Sequence, residues 1–215
     1  MLRQIKEKVN EKGITMLIGL CGGSGSGKST MIEWIKKEFP GQVSVIDMDN
    51  YYISRDELPF EERRLINYDV PESLDWNTMI RHIKMLMSGE NIPQPKFTFQ
   101  TYERLAEAEE TKPADILIVD GIFSFYHEEL RKLYDLKVYV DVPSDIRLAR
   151  RMLRNMKRYG RKAEFEIEQY FEKVKPMHER YVEPCREYAD IVLPFETNEE
   201  SQIDYLVRKL KEFIK

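Results

Sequence analysis

The run Gly22-Gly23-Ser24-Gly25-Ser26-Gly27-Lys28-Ser29 fits G-x-x-x-x-G-K-S/T in full. Glycines at this spacing let the backbone turn tightly and aim successive N–H groups at anionic oxygens. A helix that starts where the run ends adds its positive N-terminus at the same place. The pattern predicts a loop that cradles the phosphates of a nucleotide, with Thr30 completing the contact set. Lys28 would neutralise β- and γ-phosphate oxygens, and Ser29 would ligate Mg²⁺. Cys21, just before the loop, reads as a small packing residue.

Phosphoryl transfer also needs carboxylates, to hold Mg²⁺ and to accept a proton from the acceptor hydroxyl. Candidates close two apolar runs, Val45-Ile46-Asp47-Met48-Asp49 and Ile118-Val119-Asp120-Gly121. Asp47 and Asp49 lie two apart, so on a strand both would face one side. Asp120 is expected at the metal; the other reading is a turn cap.

Residues 147–162 hold Arg147, Arg150, Arg151, Arg154, Lys157, Arg158, Arg161 and Lys162, with no acid among them. Arg147, Arg151, Arg154 and Arg158 share one helical face. Such a run repels itself unless an anion is near, and arginine forks suit phosphate oxygens. The segment reads as a lid closing over a nucleotide; a solvated face and a nucleic-acid-binding helix are the other readings. His82, His127 and His178 are scattered, without ligand spacing, and read as packing or surface residues. Tyr181, Tyr188 and Trp34 read as packing residues.

The elements that must position these groups follow from hydrophobic pattern. Strands are expected at 14–20, 43–48, 116–119, 136–142 and 191–193. Helices are expected at 29–39, 74–87, 145–158, 165–181 and 202–214, with a short polar one at 2–11. Residues 50–71 read as a loop-rich segment, and 91–104, with Pro93 and Pro95, as an edge hairpin or flap. Strands alternating with helices imply a mainly parallel sheet covered on both faces, with ligands beyond the carboxyl ends of the strands.

The chain has 215 residues, with 34 basic and 38 acidic side chains. One domain, 1–215, is expected. The acidic balance speaks against nucleic-acid binding as the main role. Cys21 and Cys185 are too few for a disulfide scaffold or a four-ligand zinc site. No apolar run suggests a membrane span or a signal core, so a soluble cytoplasmic protein is expected.

With these residues in view, the chain resembles the uridine–cytidine kinase family of phosphate-loop kinases. The similarity runs from about Gly19 to Pro194. It rests on the phosphate loop, Asp49-Asn50-Tyr51-Tyr52, Asn67-Tyr68-Asp69-Val70-Pro71, Asp120-Gly121-Ile122, Asp141 through Arg161, Gln169-Tyr170, Val174-Lys175-Pro176 and Tyr188-Ala189-Asp190. The resemblance implies an α/β fold, the P-loop NTPase three-layer sandwich, with a mainly parallel five-stranded sheet, an Arg-rich helical lid and a small substrate flap. It implies ATP or GTP as donor, Mg²⁺, a nucleoside as acceptor and a homo-oligomer, tetramer or dimer. Asp49 then matches the residue that deprotonates the nucleoside 5′-hydroxyl and lies near Mg²⁺. Tyr52, Asp69, Arg151 and Gln169 match the acceptor site, with Asp69 on the ribose diol. Arg154 and Arg161 match lid arginines facing phosphates, and Asn198 a residue near the donor base.

Three departures stand out. The base-reading flap has Phe97-Thr98-Phe99 where the family has Tyr-Asp-Phe, and Tyr102 where it has histidine. Tyr159 replaces a lid arginine. Pro194 through Asn198 replaces an Arg-Gly-rich run. Phe97, Phe99 and Tyr102 are therefore the substrate-site residues that would set the acceptor; ordinary core packing is the other reading of Phe97 and Phe99. A sugar acceptor of the phosphoribulokinase kind is the alternative expectation. A non-catalytic nucleotide switch is a further one, without the Asn-Lys-x-Asp motif that reads guanine.

Overall fold

A computed structural model gives the fold and describes residues 14–195 and 199–214. The helix expected at 2–11 and Asn198 lie outside the described residues. Strand β1 (Met16–Cys21) is buried along its whole length and runs into the glycine loop, after which helix α1 (Lys28–Glu38) begins. Strand β2 (Val43–Asp47) is followed by a 3₁₀ turn (Met48–Tyr51) and, after an irregular stretch, a one-turn helix (Phe60–Arg63). Helix α2 (Trp76–Met87) is capped by Asp75, whose carboxylate accepts from the Thr78 amide.

Four short strands follow. β3 (Ile92–Gln94) pairs with β6 (Glu109–Thr111), and β4 (Phe97–Thr98) pairs with β5 (Glu103–Arg104). The expected hairpin at 91–104 thus continues to Thr111, because its outer pair closes through residues beyond Arg104. β7 (Ile116–Asp120), α3 (Glu128–Leu133) and β8 (Leu136–Asp141) return the chain to the main sheet. α4 (Ser144–Tyr159) is the basic helix, ended by Gly160 at φ 64°. α5 (Ala163–Gln169) continues through two π-helical stretches to Val182, and β9 (Ile191–Pro194) and α6 (Glu199–Ile214) complete the chain.

The main sheet has the order β2-β7-β1-β8-β9, all parallel. Such a sheet needs helices on both faces. One face packs Leu17, Ile46, Leu117 and Val119 with Met79, Ile83 and Phe125; the other packs Ile18, Leu20 and Ile118 with Met31, Ile35, Leu206 and Leu210. The five strands fall where apolar patterning put them. Register carries Leu20 of β1 opposite Asp120 of β7, and Asp47 of β2 opposite Asp120 from the other side.

Gly160 occupies a left-handed position that side-chain-bearing residues enter at a cost. Gly160→Ala should lower the unfolding free energy by about 1 kcal/mol. Urea denaturation measures this, and an unchanged midpoint would contradict the cap.

Candidate active site

The glycine loop wraps the start of α1. Its backbone is fixed by contact as much as by torsion. Gly25 has φ 83°, and a Cβ there would lie 2.4 Å from the Arg147 carbonyl oxygen; a Cβ at Gly23 would lie 2.4 Å from an Arg147 guanidinium nitrogen. Arg147 is itself buried and donates from Nε to the Val142 carbonyl oxygen at 2.9 Å. It is therefore a strut beneath the loop, not a member of a phosphate-facing row. The helical face expected of it is occupied by the loop it packs against. Lys28 is buried and its Nζ donates to the Gly22 carbonyl oxygen at 2.9 Å.

The cleft above the loop measures about 490 Å³. It brings together Ser24, Gly25, Ser26, Gly27, Lys28, Ser29 and Thr30 with Asp47, Asp49, Asp120, Tyr52, Asp69, Phe99, Arg151, Arg154 and Arg161. Asp49 does not share a strand with Asp47, because β2 ends at Asp47 and the 3₁₀ turn starts. Asp47 instead caps that turn, accepting from the Asp49 amide at 3.0 Å.

The carboxylates are crowded, and their acidities record it. Burial pushes Asp47 up to about 8, and the charges of Asp49 and Asp120 add to the rise. Burial pushes Asp120 up to about 6 against the pull of Lys28. Asp49 stays open to solvent at the cleft floor, yet desolvation by the surrounding walls raises it, with Lys28 and Arg154 opposing. Asp120 Oδ1 is buried without a hydrogen-bond partner. An orphaned buried carboxylate oxygen beside two more carboxylates and the Ser29 hydroxyl fits a hard divalent cation. Among the described residues, no three or more His, Cys, Asp or Glu form a metal cluster of their own. The nucleotide's oxygens and water would supply its remaining ligands.

The arginines approach from the opposite wall. Arg151 and Arg154 both donate to Ser24 Oγ, at 3.0 and 3.4 Å. Desolvation and the neighbouring Arg151 lower the Arg154 pKa, while Asp49 raises it. Arg161 faces the flap: it donates to the Phe99 carbonyl oxygen at 3.0 Å and to the Tyr102 hydroxyl at 2.6 Å. Arg150 also lines the cleft and was not singled out in the sequence, where it is one of eight cations with no distinguishing signal.

The flap carries an aromatic cluster. Tyr52 packs against Tyr68, Phe97 and Phe99 at 5.4–5.5 Å between ring centroids. Tyr102, at φ 58°, stacks on Tyr68 at 5.5 Å and 22°. Phe97 sits behind this layer and does not line the cleft, because its ring is taken up by Tyr52, Tyr68 and Phe99. Gln169 lines a smaller cavity of about 50 Å³ with Asp69, Arg151 and Tyr102.

The three histidines serve packing. His82 bonds the Tyr51 hydroxyl at 3.0 Å, His127 stacks on Trp76, and His178 meets Glu183. Trp76 donates to the Pro71 carbonyl oxygen at 2.8 Å. Tyr181 packs on Phe123 and Tyr126, and Trp34 packs on the core, but Tyr188 is 45% exposed, under the Arg131 guanidinium. Cys21 is buried, as its packing role requires.

A parallel sheet, a G-x-x-x-x-G-K-S loop at the end of its central strand, and facing acids and arginines define a P-loop kinase of the α/β class. Residues 17–201 match the phosphoribulokinase / uridine kinase family, and the chain belongs to it. It is 40% identical over 200 residues to a uridine kinase of Clostridium novyi (strain NT), covering 93% of this chain and 96% of that protein. It is 41% identical over 197 residues to a uridine kinase of Anoxybacillus flavithermus (strain DSM 21510 / WK1), covering 91% and 93%. A solved structure from Silicibacter sp. TM1040 shares the fold at TM-score 0.70 and 22% identity, covering 90% of this chain and 99% of its own. Among the described residues no helix is long and apolar enough to cross a membrane.

Asp47 and Asp120 are more acidic in the unfolded chain than in the fold. Their contribution to stability is therefore complete below pH about 4 and is lost as pH rises through about 6 and then about 8. The thermal midpoint of the chain without nucleotide should fall between about pH 5 and about pH 8, and Asp47→Asn should flatten the slope. A midpoint that is equally pH-dependent in Asp47→Asn would contradict the assignment.

Proposed function

We propose that the chain transfers the γ-phosphoryl group of ATP to the 5′-hydroxyl of a pyrimidine ribonucleoside, uridine or cytidine. The observation that carries this is the meeting of Asp49, Asp69 and the aromatic wall of Tyr52 and Phe99 in the same cleft as the phosphate loop. Relatives named uridine kinase support it over nearly the whole chain.

In this reading Asp49 accepts the proton of the attacking hydroxyl, and its raised pKa suits that task. Asp69 accepts hydrogen bonds from both hydroxyls of the ribose, which selects ribose over deoxyribose. Lys28 shifts from the Gly22 carbonyl to phosphate oxygens. Arg151, Arg154 and Arg161 stabilise charge on the transferring group and orient the nucleoside. Ser29, Asp49 and Asp120 would hold Mg²⁺, which neutralises phosphate charge when bound. Phe99, Tyr102 and Gln169 contact the base, with Phe97 supporting them from behind. ATP and GTP are both compatible donors. A cytoplasmic location and a homo-oligomer, tetramer or dimer, belong to the same reading, and light scattering measures the latter.

A second reading, a sugar or other small acceptor, is favoured by one observation. Gln169 and Tyr102, two of the residues expected to read the base, line a side cavity of about 50 Å³ and not the main cleft.

Turnover with Mg²⁺–ATP against uridine, cytidine, purine ribonucleosides, deoxycytidine and ribulose 5-phosphate separates the two. Nucleoside 5′-monophosphate from uridine or cytidine is expected. Product from the sugar phosphate alone would replace this reading with the second. Lys28→Ala and Asp49→Asn should each reduce kcat by about a hundredfold or more. Asp69→Ala should mainly raise the acceptor KM, and an unchanged KM would remove the diol assignment.

A further inference from the structure

Glu166 is an acid on α5 with 1% of its surface exposed, in a region otherwise rich in cations. Burying a carboxylate is unfavourable unless it is paired and hydrogen-bonded. Its partners are specific. Oε1 accepts from Arg161 Nη1 at 3.1 Å. Oε2 accepts from Asn155 Nδ2 at 2.7 Å and lies 3.7 Å from Arg151 Nε. Asn155, itself buried, turns its Oδ1 to Arg154 Nε at 3.1 Å.

Glu166 thus hydrogen-bonds Arg161, sits within ion-pair range of Arg151, and reaches Arg154 through Asn155. At one end of the chain of contacts, Arg151 and Arg154 reach Ser24 Oγ of the phosphate loop. At the other, Arg161 reaches the Phe99 carbonyl and the Tyr102 hydroxyl of the flap. We infer that Glu166 is a positioning residue that fixes Arg151, Arg154 and Arg161 and couples the acceptor flap to the phosphate loop. Without it, like-charged Arg151 and Arg161 lose their shared counter-charge, and Arg161 loses the contact that aims it at the flap.

The inference rests on the phosphoryl-transfer reading for its kinetics, so its test has a second, activity-independent readout. Glu166→Gln keeps the side-chain volume and removes the charge; Glu166→Asp keeps the charge on a shorter stem. Kinetics, affinity for a non-hydrolysable ATP analogue and the ¹⁵Nε–H NMR signals of the arginine side chains are measured for both. Glu166→Gln should lower kcat by about a hundredfold, as expected for displaced catalytic groups. It should also raise the acceptor KM while changing analogue affinity by no more than about twofold. The Arg151 and Arg161 signals should shift in the same variant, and Glu166→Asp should recover part of kcat.

A Glu166→Gln enzyme that is less heat-stable but keeps kcat and KM would overturn the positioning role in favour of a packing one. Unmoved arginine signals would overturn it whatever the substrate. If the unaltered chain makes no nucleotide from any acceptor while the signals still shift in Glu166→Gln, the functional reading fails and the positioning of the arginines stands.

Discussion

Parallel pairing of β7 with β1 on one side and β2 on the other sets Asp120 level with both Leu20 and Asp47. Because all three strands point the same way, the glycine loop, the 3₁₀ turn after β2 and the Asp120 carboxylate emerge at one edge. A slip of one residue in β7 would turn Asp120 toward the other face of the sheet and replace it with an apolar side chain. The apolar faces on either side oppose such a slip, since Leu117 and Ile118 belong to different cores. Packing in the sheet interior therefore determines where the charges at its rim meet.

That rim holds an electrostatic conflict. Asp47, Asp49 and Asp120 repel one another around Lys28, and across the cleft Arg151 and Arg154 crowd together. Among the described residues no direct ion pair joins the two sets, although Asp49 and Arg154 feel each other's charge across the cleft. In the proposed reading, a polyanion carrying a divalent cation would suit both walls, its oxygens facing the arginines and its cation the carboxylates. Such a ligand would relieve the repulsion within each set.

Much of this was legible in the residues. The phosphate loop is a local motif, so its strand, turn and helix follow from spacing alone. The five apolar runs became the five strands because buried parallel strands are continuous in hydrophobicity. Other features depend on partners far away in sequence. Arg147 has the same type and spacing as Arg151, and only the packing of α4's first turn against Gly23 and Gly25 separates the strut from the cleft residues. The parity rule for Asp47 and Asp49 failed because the strand stops between them. Three glutamates, Glu164, Glu166 and Glu168, alternate along α5, and nothing local marks the middle one as buried. Phe97 and Phe99 look alike on paper, yet only Phe99 reaches the cleft.

The two ends of α4 are held differently from its middle. At its first turn Arg147 is wedged beneath the phosphate loop. Just past its last turn, Arg161 is tied to the flap. A helix anchored this way is a lever with a fixed fulcrum, not a free cover. If it tilts, its far end would move most, and the hairpin bonded there would be drawn with it. Any tilt of the helix about its first turn would then be felt at the phosphate loop and at the hairpin together.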